Sequence, residues 1–360
     1  MKKKKPPAHS FYLIISLTVL CLLGLFFVFE ASTAESFTIY GNQYHFVLKQ
    51  AQWLLVGIVA FWLGSLIAIK SWKKIAGIIY FLGCITLLLV FVPGIGMELN
   101  GAHRWIDLGF STFQPVEFFK FCLMMFFAWW MSQHQKLIPF IFLTGLPSII
   151  LLLQPDMGSL LVILMIAVGL FYVAGGEVKK LIPIAGLGIL ILATAILLSP
   201  YRLKRIQTFF NPESDPLGAS FQVRQITLAL GSGGLIGRGL GNSQQKYAYI
   251  PEASSDSIFA IVAEEVGFIG SLAILVMFAI YFYVLYQAMK QQPTGSFAQL
   301  IIAGVFLWIG SQTLLNLAAI VALVPLTGLP LPFFSAGGSS LVMMLFGNGV
   351  VYKLIKNKNK

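Results

Sequence analysis

Charge is scarce in this sequence. Only 10% of its 360 residues are charged, while 58% are hydrophobic and the mean hydropathy is +0.86. A soluble domain carries about 25% charged residues. A water-soluble globule is therefore excluded, and so is a disordered chain, which lacks apolar residues. Cysteine is nearly missing. Cys21, Cys84 and Cys122 all lie in apolar runs, so neither a disulfide framework nor a zinc site can be read from them. The four histidines, His9, His45, His103 and His134, are scattered and suggest no metal cluster. No P-loop, dinucleotide fingerprint or Ser/His/Asp nucleophile set is present. Acidic residues are few, 13 against 24 basic, which gives a formal net charge of +11. That excess would suggest nucleic acid only if its positions were ignored, and no nucleic-acid partner is expected.

Long apolar runs are abundant. They cover roughly 11–30, 52–69, 75–92, 115–132, 137–153, 158–175, 181–199, 257–288, 299–323 and 335–354. Ten spans of about 20 residues use roughly 200 residues, which leaves room for one substantial loop, at 200–256. The runs do not alternate with period two, so a barrel is excluded. Helices are the remaining way to satisfy the backbone in lipid. The expected fold is an all-α polytopic membrane protein with ten transmembrane helices.

Lysine placement sets the expected topology. Lys2–Lys5, Lys70, Lys73, Lys74, Lys136, Lys179, Lys180, Lys290, Lys353, Lys356, Lys358 and Lys360 fall on one side. The short loops of the other side hold only Lys49 and Arg104. The positive-inside rule puts both termini in the cytoplasm. The expected organisation is a tail at 1–10, a membrane domain at 11–355 and a tail at 356–360. The first run is too long for a signal-peptide core and is read as an uncleaved anchor.

All five arginines, Arg104, Arg202, Arg205, Arg224 and Arg238, fall in the outer loops, as do most carboxylates. Topology alone does not concentrate arginine outside. Its planar fork suits phosphate or carboxylate, so the set points to an anionic ligand at the outer face. Pairing with nearby Glu and Asp is the alternative for any single arginine. The loop also contains Gly231-Ser-Gly-Gly-Leu-Ile-Gly-Arg-Gly-Leu-Gly241, which reads either as a turn needing positive φ or as a backbone nest for phosphate beside Arg238.

Ionisable residues inside apolar runs are functional candidates by default. Asp256 precedes the eighth run, which carries Glu264 and Glu265. At helical spacing Glu264 shares a face with Ser257, Ala260, Gly267 and Ser271, and Glu265 with Ile258, Ile261, Ile269 and Leu272. Glu264 is thus expected to face the bundle interior. In the fourth run Glu117 and Lys120 are three apart and can pair. Glu117, Lys120, Glu264 and Asp256 are expected to line one outward-open cavity. The uncharged stretch Pro325–Ser340 reads as a re-entrant segment whose backbone and hydroxyls, Ser339 and Ser340 among them, contact a ligand.

These segments together resemble the SEDS family (shape, elongation, division and sporulation) of membrane glycosyltransferases over nearly the whole chain. The markers are Gly101-Ala-His-Arg-Trp105, Gln114-Pro-Val-Glu117-Phe-Phe-Lys120, Gln154-Pro-Asp156-Met-Gly158, Gly231-Ser-Gly-Gly234, Pro251-Glu252, Asp256, Glu264-Glu265 and Pro332-Phe-Phe-Ser335-Ala-Gly-Gly-Ser-Ser340. Within the family, Gly239-Leu-Gly-Asn-Ser-Gln-Gln-Lys246 is more similar to the division-type branch, typified by FtsW, than to the elongation type; sporulation-type members are similar too. Three positions depart from the family pattern: Val116 for a usual Ser, Ser255-Asp256-Ser257 for Thr-Asp-Phe, and Ala336 for a common Tyr.

The resemblance implies ten helices with both ends cytoplasmic. It implies polymerisation of lipid II into glycan strands at the outer face of the bacterial cytoplasmic membrane, at the division septum. A class B penicillin-binding protein and other division proteins are the implied partners. The family's essential aspartate falls on Asp256, read as the base, and its Glu and Lys fall on Glu117 and Lys120. The five arginines are the pyrophosphate candidates. A divalent cation, magnesium or manganese, is a candidate helper, though no ligand cluster marks one. A lipid II flippase and a non-enzymatic scaffold are the rival readings. For the partner's helix, the expected surface is Ala273, Phe278, Ala303 and Phe306.

Overall fold

The computed structural model describes residues 8–99, 102–109, 111–197, 200–211, 219–245 and 254–357. Gly101, Lys246, Pro251, Glu252, both extreme tails and the side chain of Arg202 lie outside the described residues. Each of the ten apolar runs holds one helix. These are α1 (Ala8–Tyr40), α2 (His45–Leu66), α3 (Ile69–Leu89), α4 (Pro115–Met131), α5 (Leu137–Leu153), α6 (Met157–Val173), α7 (Ile182–Leu197), α10 (Ile258–Lys290), α11 (Phe297–Ile320) and α12 (Gly338–Asn357). The long loop supplies two more, α8 (Pro200–Phe210) and α9 (Ala219–Gly233). Six helices are long and apolar enough to cross a membrane, namely α1, α2, α3, α10, α11 and α12. This is a multi-pass membrane protein.

The segment before α4 holds structure that hydropathy does not announce. Strands β1 (Gly96–Leu99), β2 (Ala102–Asp107) and β3 (Thr112–Phe113) form a small antiparallel sheet in the order β1-β2-β3. Gly96 pairs with Ile106, and Ile106 with Phe113. The sheet leads directly into α4, where Pro115 occupies the first turn and its missing N–H leaves no bond unmade.

Helix α4 is the centre of the molecule. Val116, Phe119, Phe121, Leu123, Met125 and Phe127 are all buried, which covers every face. A helix apolar all round belongs in a core, and α3, α6 and α11 pack on it. Outside that layer α12 runs along α2, while α1 and α9 lie against α10. Caps fix the helix starts near the loops. The Asp156 side chain accepts from Ser159 N at 3.1 Å at the head of α6, and Ser296 Oγ accepts from Gln299 N at 3.2 Å at the head of α11.

The loops gather at two ends. At one end Arg104 bonds the 154–155 backbone, Arg205 bonds Leu326 O, and Ala336 N donates to Ser254 O. At the other, Lys73 lies over the Phe297 ring, Gln291 contacts His9, and Gln135 bonds Ala174 O.

Two expectations need correction. Phe278 and Ala303 are buried, so with Ala273 and Phe306 they make no continuous outer surface. The face that α10 leaves exposed is Ile269, Leu272, Val276, Ile280 and Tyr283. Glu265 is not turned toward lipid either, being buried like Glu264. The first turns of α10, Ile258 to Glu265, are buried on every side, and a break at Gly267, with φ 68° and ψ −168°, separates them from the exposed Ile269 and Leu272.

Candidate functional site

Glu117 and Lys120 pair as their spacing predicts. Lys120 Nζ lies 2.6 Å from Glu117 Oε1, with both side chains buried. Lys120 also donates to Gln312 Oε1 at 2.8 Å. The ammonium is thus shared between α4 and α11. Glu117 Oε2 finds no hydrogen-bond partner among the described residues. A charge pair this deep is tolerated only where geometry and further hydrogen bonds offset desolvation.

From Gln312 a line of polar contacts leads to Asp256. Gln312 Nε2 donates to Pro330 O at 3.0 Å. One helical turn along α11, Asn316 Nδ2 donates to Leu329 O at 2.8 Å and to Asp256 O at 2.7 Å. Asp256 sits in the turn 254–257 just before α10, partly exposed. Its Oδ1 accepts from Ser257 Oγ at 3.1 Å, and Ser257 Oγ accepts from Gln222 of α9 at 3.1 Å. The turn also touches the uncharged segment, since Ser254 O accepts from Ala336 N at 2.8 Å.

The uncharged segment is a folded loop. Leu331 N donates to Ser335 Oγ at 2.7 Å, and Phe333 adopts a φ of 66°, uncommon for a bulky residue. Gln50 of α2 grips it from the far side, donating to Ser335 O and accepting from Gly337 N, each at 3.2 Å. Ser339 Oγ accepts from Gln114 N at 3.2 Å and ties α12 to the head of α4. Ser340 points down its own helix to Met344 Sδ at 3.8 Å.

Glu264 does not join this arrangement through any contact among the described residues. It is bound by the segment that precedes it in sequence. Its Oε2 accepts from Ser243 Oγ at 2.5 Å and from Gln245 N at 3.3 Å; its Oε1 accepts from Gln244 N at 3.2 Å and Ser232 Oγ at 3.3 Å. Arg238 Nη1 stands 3.7 Å away. Of the four residues expected in one cavity, Glu117, Lys120 and Asp256 are connected through α11 and the 329–330 backbone, and Glu264 belongs to a separate cluster.

The glycine-rich segment explains that cluster. In an unbroken helix, Phe268 N and Ile269 N would bond the carbonyls of Glu264 and Glu265. The break at Gly267 frees all four groups. The loop takes up each one: Arg238 N and Gly239 N donate to Glu264 O and Glu265 O, both at 3.0 Å, while Phe268 N and Ile269 N donate to Gly234 O and Leu235 O at 2.9 and 3.0 Å. A Cβ at Gly237 would lie 2.1 Å from Glu265 O, and its φ is +81°. The turn reading of the glycines holds. The N–H groups of 238 and 239 are committed to α10 and are not free to cradle a phosphate.

The arginines divide as well. Arg104 and Arg205 line one cavity of about 250 Å³ together with Pro155, Ile206 and Leu326. Arg205 also borders a second of about 230 Å³ beside Gln222. Arg224 is exposed on α9, and Arg238 belongs with Glu264. No group of three or more His, Cys, Asp or Glu that could hold a metal occurs among the described residues. The described residues therefore offer no ready donor set for a divalent cation.

Sequence reasoning missed Gln50, Gln222, Gln312 and Asn316. A signal existed for two of them. Gln312 and Asn316 are side-chain amides four apart inside an apolar run, on one helical face, and such groups require buried partners.

Comparison with known proteins agrees with this architecture. The model of the FtsW/RodA/SpoVE cell cycle protein family matches residues 11–360. A probable peptidoglycan glycosyltransferase FtsW of Coxiella burnetii is 35% identical, over 98% of both chains. Stage V sporulation protein E of Bacillus subtilis is 33% identical, again over 98% of both. Among solved structures, a chain of a peptidoglycan synthase complex that coordinates polymerization and crosslinking superposes with a TM-score of 0.80 at 26% identity, covering 97% of this chain and 98% of that one. The rod shape determining protein RodA of Thermus thermophilus superposes with a TM-score of 0.71 at 25% identity, covering 97% of each. The family match over nearly the whole chain, the full-length relatives and the shared fold lead to one conclusion: this chain belongs to the FtsW/RodA/SpoVE family of cell cycle proteins.

Proposed function

We propose that this protein is a peptidoglycan glycosyltransferase that polymerises lipid II at the outer face of the bacterial cytoplasmic membrane, in septal wall synthesis. The observation that carries the reading is the partly exposed Asp256, fixed on a turn that a chain of hydrogen bonds joins to the buried Glu117–Lys120 pair. All ten apolar helices cross the bilayer, within a membrane domain at 11–355 whose two tails are cytoplasmic.

Asp256 acts as the base. The 4-hydroxyl of the GlcNAc of an incoming lipid II gives its proton to the Asp256 carboxylate as its oxygen attacks C1 of the MurNAc ending the growing strand. The bond from C1 to the pyrophosphate oxygen breaks, undecaprenyl pyrophosphate leaves, and the anomeric centre inverts. The proton passes from Asp256 to water. One displacement needs no protein nucleophile, only a base and cations for the leaving group. Arg104 and Arg205, which share a cavity, hold the pyrophosphate. Arg202 lies on α8 with Arg205, and its role stays with that of the helix. The partner is a class B penicillin-binding protein, which supplies crosslinking, alongside other division proteins. Similarity to a chain of a peptidoglycan synthase complex supports this.

The test uses purified protein in liposomes with lipid II already accessible. Glycan polymer is expected from the native chain and none from Asp256→Asn. Normal turnover in Asp256→Asn overturns the base assignment. Translocation of lipid II without polymer overturns the enzyme in favour of a flippase.

A further inference from the structure

Two side-chain amides on α11 stand between the buried ion pair and the aspartate turn. Asn316 Nδ2 donates twice, to Asp256 O at 2.7 Å and Leu329 O at 2.8 Å, while its buried Oδ1 meets no partner among the described residues. Its contribution is therefore the two donors. Gln312, one turn away, accepts from Lys120 and donates to Pro330 O. Both residues are almost fully buried, Gln312 at 0% and Asn316 at 2% exposure. The carbonyls they hold, at 329 and 330, are adjacent in one loop. That loop touches the Asp256 turn a second time through Ala336 and Ser254.

We propose that Gln312 and Asn316 are positioning residues for glycosyl transfer. Together they set the place of Asp256 relative to Lys120 and Glu117, using the rigid face of α11 as the ruler. The inference rests on the reading of Asp256 as the base. Helix α11 suits this task because its spacing is fixed by its own hydrogen bonds, whereas the turn and the 329–337 loop have no regular secondary structure. A base displaced by about 1 Å costs on the order of 100-fold in rate. Loss of either amide should therefore lower kcat with little change in KM, since neither Gln312 nor Asn316 lines the cavities that Arg205 borders.

The experiment measures steady-state polymerisation and hydrogen–deuterium exchange for Asn316→Leu, Asn316→Asp and Gln312→Leu in liposomes. Asn316→Asp keeps the size of the side chain but sets acceptors against two carbonyls. Each Asn316 variant should lower kcat about 100-fold, leave KM within roughly two-fold, and speed exchange in 254–257. The double variant Gln312→Leu/Asn316→Leu should lose less than the product of the single losses, because both act on one loop. A merely structural amide would reduce the folded fraction and leave kcat per folded molecule unchanged; that result overturns the positioning role. Asp256→Asn runs in parallel. If it is inactive while Asn316→Leu is normal, the positioning role falls and the base stands. If Asp256→Asn is normal, the base falls. Exchange then decides whether α11 holds the turn, and unchanged protection in Asn316→Leu overturns that too.

Discussion

Glu117 on α4 and Glu264 on α10 are both buried carboxylates within apolar helices, yet they are held in different ways. Glu117 is neutralised by one ammonium, and that ammonium reaches Gln312, 192 residues further along the chain. Glu264 takes its hydrogen bonds from Ser232, Ser243, Gln244 and Gln245, all within 32 residues, two of them through backbone N–H groups. The first carboxylate joins distant helices and leads to Asp256. The second closes a local structure, the glycine loop docked on a broken helix. An ionisable residue in a membrane helix marks a site worth examining, but its partners decide whether it serves chemistry or architecture.

Removing one member of the α4 pair should sharpen the contrast most. Lys120→Ala leaves Glu117 buried and unpaired, at a cost of about 3–5 kcal/mol. We expect a large fall in thermal stability in detergent and no polymer from lipid II. Glu117→Ala should do comparable damage. The double variant should be milder than the sum of the two, because no uncompensated charge remains. Additive losses in that cycle would break the pair.

Gly267→Ala attacks the other region at its backbone. A φ of 68° with ψ −168° is nearly confined to glycine, and a Cβ there would lie 2.2 Å from Gly237 N. The backbone term alone is about 1–3 kcal/mol, and the clash must displace the loop as well. Lower yield of folded protein is expected, with the residual folded fraction close to normal in KM. A selective loss of kcat at full stability would instead place the break in the catalytic machinery.

How far the sequence carried the fold depends on which force shaped each part. A helix in each of the ten apolar runs was legible because lipid demands long apolar runs. Helices α8 and α9 and the β1–β3 sheet were not, since they lie in polar stretches outside the apolar runs. At the site, Glu117 and Lys120 were legible because i,i+3 spacing is a local property. The separation of Glu264 from Asp256 was not, because it depends on the 232–245 segment folding back to bind Glu264 two turns down α10. Positive φ at the glycines could be anticipated; that their loop would satisfy the four groups of a helix break could not, as it depends on contact between 234–239 and 264–269.

Glu264→Gln tests the architectural role more gently. The substitution preserves shape but turns an NH2 group toward hydroxyl and N–H donors. A hydrogen bond to a charged group is worth about 1.5–3 kcal/mol, so a stability loss of that order is expected. Turnover per folded molecule should stay near normal, in contrast to Lys120→Ala. An inactive but fully stable Glu264→Gln protein would return Glu264 to the catalytic group.

Arg238→Ala should have the smallest effect, and it separates two uses of arginine. Its guanidinium is 35% exposed and 3.7 Å from Glu264, too open and too long for a strong pair. Such pairs contribute about 0.2–1 kcal/mol, and salt screens them further. The Glu264 carboxylate keeps its hydroxyl and backbone donors without Arg238, so the cluster survives. The variant should therefore lose under about 1 kcal/mol at low salt and leave the KM for lipid II unchanged. Arg205→Ala is the paired measurement. Arg205 faces the cavity shared with Arg104, so its loss should raise KM through a weakened grip on pyrophosphate. If Arg238→Ala raises KM as much as Arg205→Ala does, the anion is held at the glycine loop after all, and the division between a chemical region and an architectural one fails at that point.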